Sequence, residues 1–304
     1  MALPSPFMRI GAIDIGSNAV RLIIKEVRHY AEEYESFKVC YTRVPIRLGS
    51  DVFTTGLITE TKRNQLAKTM QAFKLLMEVQ GVKDFRACST SAMREAKNGK
   101  EVIAFMKEQA DVDVELLSGE DEAEAILANF STQRLVPGQK YAYIDVGGGS
   151  TEISVIQDGE RIISRSFRIG TVRLLHERVD AREWEELRVF CDALLAKHGE
   201  MIGIGTGGNI NRIYKEAGKT QLTNITVSEI DAVKKVMESY SFDERIFLLK
   251  LKPDRADVII PAANIYLEAM HHAGIKQMNV PKLGLSDGLI MNIFNRLEAE
   301  HKLV

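Results

Sequence analysis

The sequence predicts an α/β protein built from two similar lobes, and three observations support this fold class. The stretches IDIGSNAVRLII from Ile13 and IDVGGGSTEISV from Ile144 align without a gap, so one strand-turn-strand unit occurs twice. Apolar residues between Glu60 and Val79 recur at helical spacing, which predicts a long amphipathic helix. A chain of 304 residues is long enough for about two domains. We expect two facing lobes, each with its turn at the mouth of the cleft between them.

The predicted elements follow in order along the chain. In the first half, the sequence predicts strands at Arg9–Ile13, Val20–Val27, Phe37–Leu48, Lys83–Cys88 and Val112–Leu117, and helices at Glu60–Val79, Val102–Gln109 and Ser118–Phe130. In the second half it predicts strands at Tyr141–Asp145, Glu152–Ile156, Arg161–Phe167 and Lys276–Val280, and helices at Ala181–Lys197, Asn209–Glu216, Val227–Tyr240, Ala256–His272 and Ser286–Glu300. The predicted domains are residues 1–124 and 125–304, each a lobe with one copy of the repeated unit, and the last helix is free to pack back on the first lobe.

Composition excludes several classes of protein. The net charge is −2, so no overall positive field favours nucleic acid or a membrane surface as partner. The three cysteines are far apart and odd in number, which argues against a disulfide framework and suits a reducing cytoplasm. The N-terminal residues do not resemble a signal peptide, and no apolar run is long enough to span a bilayer. We therefore expect a cytoplasmic protein.

The two repeated turns are the strongest candidates for an anion site. Glycine lacks the Cβ that keeps a ligand away, so a glycine-rich turn can direct several N–H groups at one anion. The second turn offers Gly147, Gly148, Gly149, Ser150 and Thr151, and the first offers Gly16, Ser17 and Asn18. Either turn alone is also explained as a tight hairpin connection. Two matching copies, each preceded by an aspartate, favour phosphate binding.

Acidic side chains beside these turns point to a metal ion. Asp14 and Asp145 would repel a bare phosphate, but carboxylates suit Mg²⁺, which bridges phosphate oxygens. Glu152 just inside the returning strand calls for a metal, a water or an arginine for the same electrostatic reason. Glu122 lies in SGEDEA, where acids near a helix start are explained equally well by capping and the helix dipole. Spacing alone does not decide whether Glu122 orients an attacking water.

A third loop and several arginines complete the candidates. GIGTGGNINRI fits GxGxxG, but a βαβ unit is not expected around it, so a loop near phosphate or nucleotide is favoured over a dinucleotide site. Its residues are Gly205, Gly207 and Gly208. Arg21, Arg94, Arg173 and Arg255 can each pair with anionic oxygens, although most arginines are solvated surface groups.

Taken together, these motifs resemble one family. AIDIGSNAVRLII, STSAMREAKN, LLSGEDEAEAI, YIDVGGGSTEISVI, SFRIGTVRLL, GTGGNINRI, PDRADVIIPA and LGLSDGLI occur in the order seen in the exopolyphosphatase/guanosine pentaphosphate phosphatase family. The resemblance covers nearly the whole chain. It implies the duplicated, two-lobed actin and sugar-kinase-like (ribonuclease H-like) fold with a cleft between the lobes.

The resemblance also implies roles for particular residues. Glu122 and Glu152 are similar to the family's catalytic acids, and Asp14 and Asp145 to residues that hold Mg²⁺, with Mn²⁺ as an alternative. The two turns correspond to phosphate-binding loops, the GTGG loop to a nucleotide segment of ATP-binding relatives, and Arg255 to the far end of the substrate. Ala19, Asp121 and Asn209 depart from the common residues at their positions without removing a catalytic group.

The family implies a cytoplasmic, homodimeric phosphoanhydride hydrolase. Inorganic polyphosphate is the first expected substrate, and guanosine pentaphosphate of the stringent response is the second. The sequence shows no counterpart of the C-terminal domain of long family members, so we expect short polyphosphate chains. Two rivals stay open: an ATP-using kinase, and a non-catalytic sensor that binds polyphosphate or guanosine alarmones.

Overall fold

The computed structural model describes residues 7–30, 33–127, 135–220, 223–281 and 283–300. Internal contacts divide the chain into a first unit, Met1–Arg134 with Gly284–Val304, and a second unit, Leu135–Leu283. The predicted domain boundary, between residues 124 and 125, falls inside a helix that packs within the first unit. The boundary between the two units lies about ten residues later, between residues 134 and 135.

The elements are numbered here in chain order. The strands are β1 Met8–Ile15, β2 Val20–Tyr30, β3 Glu33–Val44, β4 Asp84–Ser89, β5 Val114–Leu116, β6 Lys140–Val146, β7 Thr151–Gln157, β8 Glu160–Phe167, β9 Ile202–Thr206, β10 Ile225–Thr226 and β11 Gln277–Asn279. The helices are α1 Leu48–Thr55, α2 Glu60–Val79, α3 Ser91–Glu95, α4 Gly99–Ala110, α5 Gly119–Leu127, α6 Thr171–Leu175, α7 Ala181–His198, α8 Gly208–Glu216, α9 Val227–Glu238, α10 Phe242–Phe247, α11 Pro253–Ala256, α12 Ile259–His272 and α13 Leu285–Ala299.

The sheets of the two units share one topology. In the first unit the order is β3-β2-β1-β4-β5, with β1 antiparallel to β2, β2 antiparallel to β3, and β4 and β5 parallel to β1. In the second unit β8-β7-β6-β9-β11 repeats that order and those directions, and β10 adds an outer antiparallel strand. The predicted duplicated α/β fold is therefore confirmed.

Each sheet is covered by apolar helix faces. In the first unit, α13 packs on β1, β4 and α5, and α2 packs on α4. The predicted apolar stripe of α2 buries Leu66, Met70, Phe73 and Met77, whereas Leu76 is exposed. In the second unit, α12 packs on α7, α8 and α9 and buries seven side chains, including Tyr266. Every helix of the described ranges is too short or too polar to cross a bilayer.

Several boundaries differ from the prediction. The third strand ends at Val44 instead of Leu48, because Pro45 has no N–H for the ladder and Arg47 adopts a left-handed conformation (φ 58°) that starts α1. The helix predicted from Ala256 is two helices, α11 and α12. Helix α5 begins at Gly119, and predicted helical residues 128–130 lie outside the described part. The missed helices α1, α3, α6 and α10 have five to eight residues, too few for periodicity to reveal them.

Candidate functional site

The first repeated turn joins β1 to β2 and is held by main-chain hydrogen bonds. The bonds run from Gly16 N to Ala19 O (3.1 Å), from Gly49 N to Ser17 O (2.8 Å) and from Arg47 N to Asn18 O (3.0 Å). The Ser17 hydroxyl lies 2.9 Å from the hydroxyl of Ser91, which begins α3. The turn is therefore braced by the start of α1 on one side and by the predicted STSAMR motif on the other.

Asp14 has a cationic partner within the first unit. Asp14 and Arg21 are directly opposite across β1 and β2, and their side chains form an ion pair. The Asp14 residue is 6% exposed, so this pair is largely shielded from water. The predicted metal ligand Asp14 and the predicted substrate-binding Arg21 thus neutralise each other beside the first turn.

Glu122 is buried, although the other acids of α5 are exposed. Ser118 and Asp121 bond reciprocally, with Ser118 Oγ donating to Asp121 Oδ2 (2.7 Å) and Asp121 N donating to Ser118 Oγ (3.1 Å). The predicted helix cap is confirmed and accounts for Asp121. It does not account for Glu122, which is only 9% exposed, because an acid placed for capping or for the helix dipole needs no burial.

Two neighbouring residues locate Glu122 within the first unit. Burial of Cys88, and then the carboxylate of Glu115, raise the pKa of the Cys88 thiol to about 12. The carboxylates of Asp14 and Glu122 act in the same direction, so both acids lie within electrostatic range of Cys88. Arg94 Nη1 donates to Leu117 O over 2.6 Å, just before α5. This bond makes Arg94 a brace for the chain that leads to Glu122.

The second repeated turn, Gly147–Thr151, is held through its carbonyl oxygens by the segment Thr171–Arg173. The bonds run from Thr171 N to Gly147 O (3.0 Å), from Val172 N to Gly148 O (2.9 Å), from Arg173 N to Gly148 O (3.1 Å) and from Arg173 Nε to Gly149 O (2.9 Å). Gly147 N donates to Ser150 O over 2.9 Å, which repeats the Gly16 bond of the first turn. The Thr151 hydroxyl donates to Ile169 O (2.6 Å), so it fixes the turn.

The direction of the turn's N–H groups follows from those carbonyl bonds. The peptide bonds are trans, and in a planar trans peptide the C=O and the following N–H point in opposite directions. The N–H groups of Gly148, Gly149 and Ser150 therefore point away from Thr171–Arg173. Within the described ranges, these three N–H groups have no hydrogen-bond partner in the protein. The turn thus presents three consecutive donors, an arrangement that suits one anion.

Asp145 and Glu152 form an acidic pair beside this turn. They are directly opposite across β6 and β7, and their carboxylate oxygens approach within 4.8 Å. Glu152 is 2% exposed, and its Oε1 accepts a hydrogen bond from Ser166 Oγ over 2.8 Å. Two carboxylates this close repel each other unless a cation lies between them, and oxygen donors suit a hard divalent cation.

Two buried tyrosines lie near Asp145 and bond the end of β9. The hydroxyl of Tyr266 donates to Thr206 O over 2.5 Å, and the hydroxyl of Tyr143 bonds the side chain of Thr206. Burial and then the charge of Asp145 hold the pKa of both tyrosines well above its usual range. Both hydroxyls therefore stay neutral and fix the ends of β6 and β9 beneath the acidic pair.

The GTGG loop lies beside Asp145. Gly207 has a φ of 100°, and a Cβ placed on it would lie 3.0 Å from Asp145 Oδ1, so its backbone borders the acidic pair. A Cβ on Gly208 would lie 2.0 Å from Arg255 Nη2, and Arg255 Nη1 donates to Asn209 Oδ1 over 2.6 Å. Arg255 therefore lies across the N-terminus of α8.

The environment of this loop corrects one expectation and explains Gly205. Strand β9 is parallel to β6 and β11 and is followed by α8, so the expectation that no βαβ unit surrounds the loop is wrong. A Cβ on Gly205 would lie 2.2 Å from Met278 Sδ. The structure therefore gives Gly205 a packing role between β9 and β11.

Sequence reasoning missed the segment that holds the second turn. Gly170 lies so close to the turn that a Cβ on it would be 2.4 Å from the backbone of Gly149. Arg173 is 4% exposed and bonds the turn's backbone, whereas its sequence context predicted only direct pairing with anions. Both residues lie in the motif RIGTVRL, but they contact the turn only because the chain after β8 returns to it.

A family model matches residues 35–297 of the chain and describes the Ppx/GppA phosphatase family. The chain therefore belongs to the Ppx/GppA phosphatase family, and the family assignment from sequence is confirmed. The matched residues include Glu122, Asp145 and Glu152, whereas the first turn with Asp14 precedes them.

Relatives and solved structures agree with this assignment. Exopolyphosphatase 1 of Mycobacterium tuberculosis is 24% identical over 93% of this chain and 88% of the relative. Exopolyphosphatase 2 of the same organism is 26% identical over 94% of this chain and 98% of the relative. An exopolyphosphatase structure from Cytophaga hutchinsonii covers 96% of this chain and 98% of its own at 20% identity and a TM-score of 0.82. The Aquifex aeolicus family member covers 96% and 99% at 23% identity and a TM-score of 0.76. At these identities the structures establish the fold.

Proposed function

We propose that this protein is a divalent-metal-dependent hydrolase that releases orthophosphate from the end of inorganic polyphosphate, with short chains preferred. The observation that carries the proposal is the second turn, where three aligned N–H donors lie beside the acidic pair Asp145 and Glu152. Donors for phosphate oxygens next to ligands for a cation are what phosphoryl transfer requires, because catalysis there is mainly positioning and charge stabilisation. The relatives named exopolyphosphatase point to the same substrate.

Asp145 and Glu152 would hold Mg²⁺, with Mn²⁺ as the alternative. The fit is chemical, since the pair offers carboxylate oxygens within 4.8 Å of each other, and such oxygens are the ligands that hard divalent cations prefer. When bound, the ion supplies positive charge that neutralises and polarises phosphoryl oxygens. Asp14 is the other ligand expected from sequence. Because Asp14 already pairs with Arg21, we assign it the role of holding Arg21 beside the first turn.

The two turns would bind phosphate and Glu122 would act on water. The N–H groups of Gly148, Gly149 and Ser150 would donate to the terminal phosphoryl group, and Gly16–Asn18 with Arg21 would bind anionic oxygens. Glu122 would orient the attacking water and accept its proton, with Glu152 arranging that water or the metal. Arg94, the GTGG loop and Arg255 would support the site, the last two towards the rest of the substrate.

Guanosine pentaphosphate is the second candidate substrate. Its terminal phosphate is linked by the same kind of phosphoanhydride bond, and the description of the matched family names GppA beside Ppx. Because the GTGG loop borders Asp145, a nucleotide bound at this loop would lie near the acidic pair. A link to the stringent response, a homodimer and a cytoplasmic location stay predictions from the sequence.

A substrate panel tests the proposal. Purified full-length protein is incubated with tripolyphosphate, long-chain polyphosphate, guanosine pentaphosphate or ATP, with Mg²⁺ or with excess chelator, and orthophosphate is quantified. We expect Mg²⁺-dependent release without any acceptor, fastest from the short polyphosphate. Release that requires an acceptor would indicate the kinase, and tight binding without release would indicate the sensor. Faster release from guanosine pentaphosphate than from polyphosphate would reverse the order of the two substrates.

A further inference from the structure

The donors that hold the second turn differ in charge. Gly147 O and Gly148 O accept from main-chain N–H groups, whereas Gly149 O accepts from the guanidinium Nε of Arg173 over 2.9 Å. Arg173 is 4% exposed, so its positive charge lies in a poorly solvated environment close behind the turn. Hydrogen bonds from a charged donor are roughly twice as strong as neutral ones, and low dielectric strengthens them further.

The carbonyl that Arg173 contacts belongs to the peptide whose N–H is supplied by Ser150. A charged donor on a peptide oxygen draws electron density towards that oxygen and makes the N–H of the same peptide a stronger donor. The bond also fixes the plane of the Gly149–Ser150 peptide, so the Ser150 N–H keeps its direction away from Arg173. Arg173 can therefore act on an anion at the turn without touching it.

The first turn provides an internal comparison. Asn18 aligns with Gly149, and Asn18 O accepts from the main-chain N–H of Arg47 over 3.0 Å. The corresponding carbonyls of the two turns are therefore both held, but with a neutral donor in the first turn and a cationic donor in the second. The second turn is the one that lies beside the acidic pair, where an anion needs additional positive charge.

We propose that Arg173 is a positioning residue that strengthens anion binding at the Gly147–Thr151 turn through the Gly149–Ser150 peptide. The inference rests on the proposed function, because it takes the anion at this turn to be the terminal phosphoryl group of a polyphosphate. It assigns to the buried guanidinium a role through the backbone, in place of direct contact with substrate oxygens.

The test separates charge from shape with two substitutions of Arg173. Arg173→Lys keeps the positive charge, and Arg173→Gln keeps a neutral N–H donor, both in the full-length chain. Each is combined with Glu122→Gln so that tripolyphosphate is not consumed, and the tripolyphosphate Kd is measured by titration calorimetry with Mg²⁺. We expect Arg173→Gln to bind at least about tenfold more weakly than the Glu122→Gln parent, with Arg173→Lys between them.

Arg245→Gln is the matched control. Arg245 is a half-buried arginine of the same unit whose Nε donates to Met237 O over 2.7 Å, away from the turn. We expect Arg245→Gln to lower the Tm while leaving the Kd within about twofold, because its bonds stabilise only the fold. Equal Kd values for Arg173→Gln and the parent would overturn the inference. Equal weakening by Arg173→Lys and Arg173→Gln, or by Arg245→Gln, would do so as well.

The result is distinguishable from a failure of the proposed function. Orthophosphate release is measured separately with the chain that retains Glu122. Binding without release would contradict the hydrolase and leave the Arg173 inference supported by the order of Kd values. Normal release together with unchanged Kd in Arg173→Gln would contradict only the role of Arg173. Absence of tripolyphosphate binding by the parent would overturn the inference.

Discussion

Asp145 and Glu152 are direct neighbours across β6 and β7, and the equivalent neighbours across β1 and β2 are Asp14 and Arg21. The duplication has kept the aspartate and exchanged the charge of its partner. In the first unit the aspartate is neutralised by an arginine, and in the second it is placed within 4.8 Å of another carboxylate. The same strand-turn-strand unit thus carries an ion pair in the first unit and a pair of carboxylates suited to a cation in the second.

The magnitude of the repulsion shows what a bound cation would contribute. Two unit negative charges within 4.8 Å of each other repel by at least roughly 3 kcal/mol at an effective dielectric constant of about 20. A divalent cation between the carboxylates reverses the sign of the interaction and makes their proximity favourable.

Glu122→Gln tests the proposed general base. We expect kcat for orthophosphate release to fall at least about 100-fold, because the amide does not accept the proton of the attacking water. The unfolding transition should stay close to that of the unsubstituted protein. Glu124→Gln is the matched control, since Glu124 is an exposed acid on the same helix, and kcat should stay within about twofold. Near-normal turnover by Glu122→Gln would remove Glu122 from the mechanism.

Gly170→Ala tests the packing of the segment that holds the second turn. The backbone of Gly170 (φ −143°) is allowed for alanine, but the added Cβ would lie 2.4 Å from Gly149. We expect a loss of about 1 to 3 kcal/mol in unfolding free energy and a raised KM, because the turn must shift. Gly284→Ala, where no atom lies within 4 Å of the added Cβ, should cost at most about 1 kcal/mol and leave KM unchanged. An unchanged KM in Gly170→Ala would show that the turn tolerates displacement.

Ser166→Ala tests the support of Glu152. The Ser166 hydroxyl donates to Glu152 Oε1 over 2.8 Å, and removing it leaves that oxygen without this donor. Residues that orient metal ligands typically affect metal affinity by about tenfold or more, so we expect the Mg²⁺ concentration for half-maximal activity to rise by about that factor. Ser164→Ala is the control, because Ser164 on the same strand bonds Ser154. Equal Mg²⁺ requirements in both variants would argue against a metal at Glu152.

Asp51→Asn tests a pH-dependent brace behind the first turn. Burial acts to raise the pKa of Asp51, but hydrogen bonds from Lys62 (2.5 Å) and Thr59 (2.7 Å) outweigh it and lower the pKa below 3.8. Because the folded pKa is depressed, this stabilisation is fully present above pH 3.8 and is lost as the pH falls through the folded pKa. Asp51→Asn should therefore cost about 1 kcal/mol at pH 7 and progressively less below pH 3.8 in urea unfolding experiments. A cost that stays constant down to pH 2.5 would contradict this assignment.

The sequence was sufficient for the duplicated fold because the repeated unit contains its own signals. The alignment of Asp14 with Asp145 placed both turns between antiparallel strands, and the structure has them there. The same motif placed Glu152 just inside the returning strand, and the structure has it second in β7, beside the second turn. These features depend on residues that are neighbours in sequence, which is why patterns of a few residues identify them.

Side-chain pairings and contacts between distant segments were beyond the same reasoning. The pairing of Asp14 with Arg21 requires the register of β1 and β2, and the bond from Arg173 to Gly149 requires the return of the chain after β8. Burial of Glu122 depends on how α5 packs within its unit, whereas local capping chemistry explains its acidic neighbours. The sequence pattern identified these residues as candidates, whereas their burial and contacts depend on the tertiary structure.

The most direct test of the central claim is the affinity for Mn²⁺, measured by electron paramagnetic resonance in place of Mg²⁺, in Asp145→Asn and Asp14→Asn. We expect Asp145→Asn to weaken Mn²⁺ binding at least about tenfold, whereas Asp14→Asn, which breaks an ion pair with Arg21, should change it by less than about threefold. Unchanged Mn²⁺ affinity in Asp145→Asn, or an equal loss in Asp14→Asn, would contradict the assignment of the metal to the acidic pair.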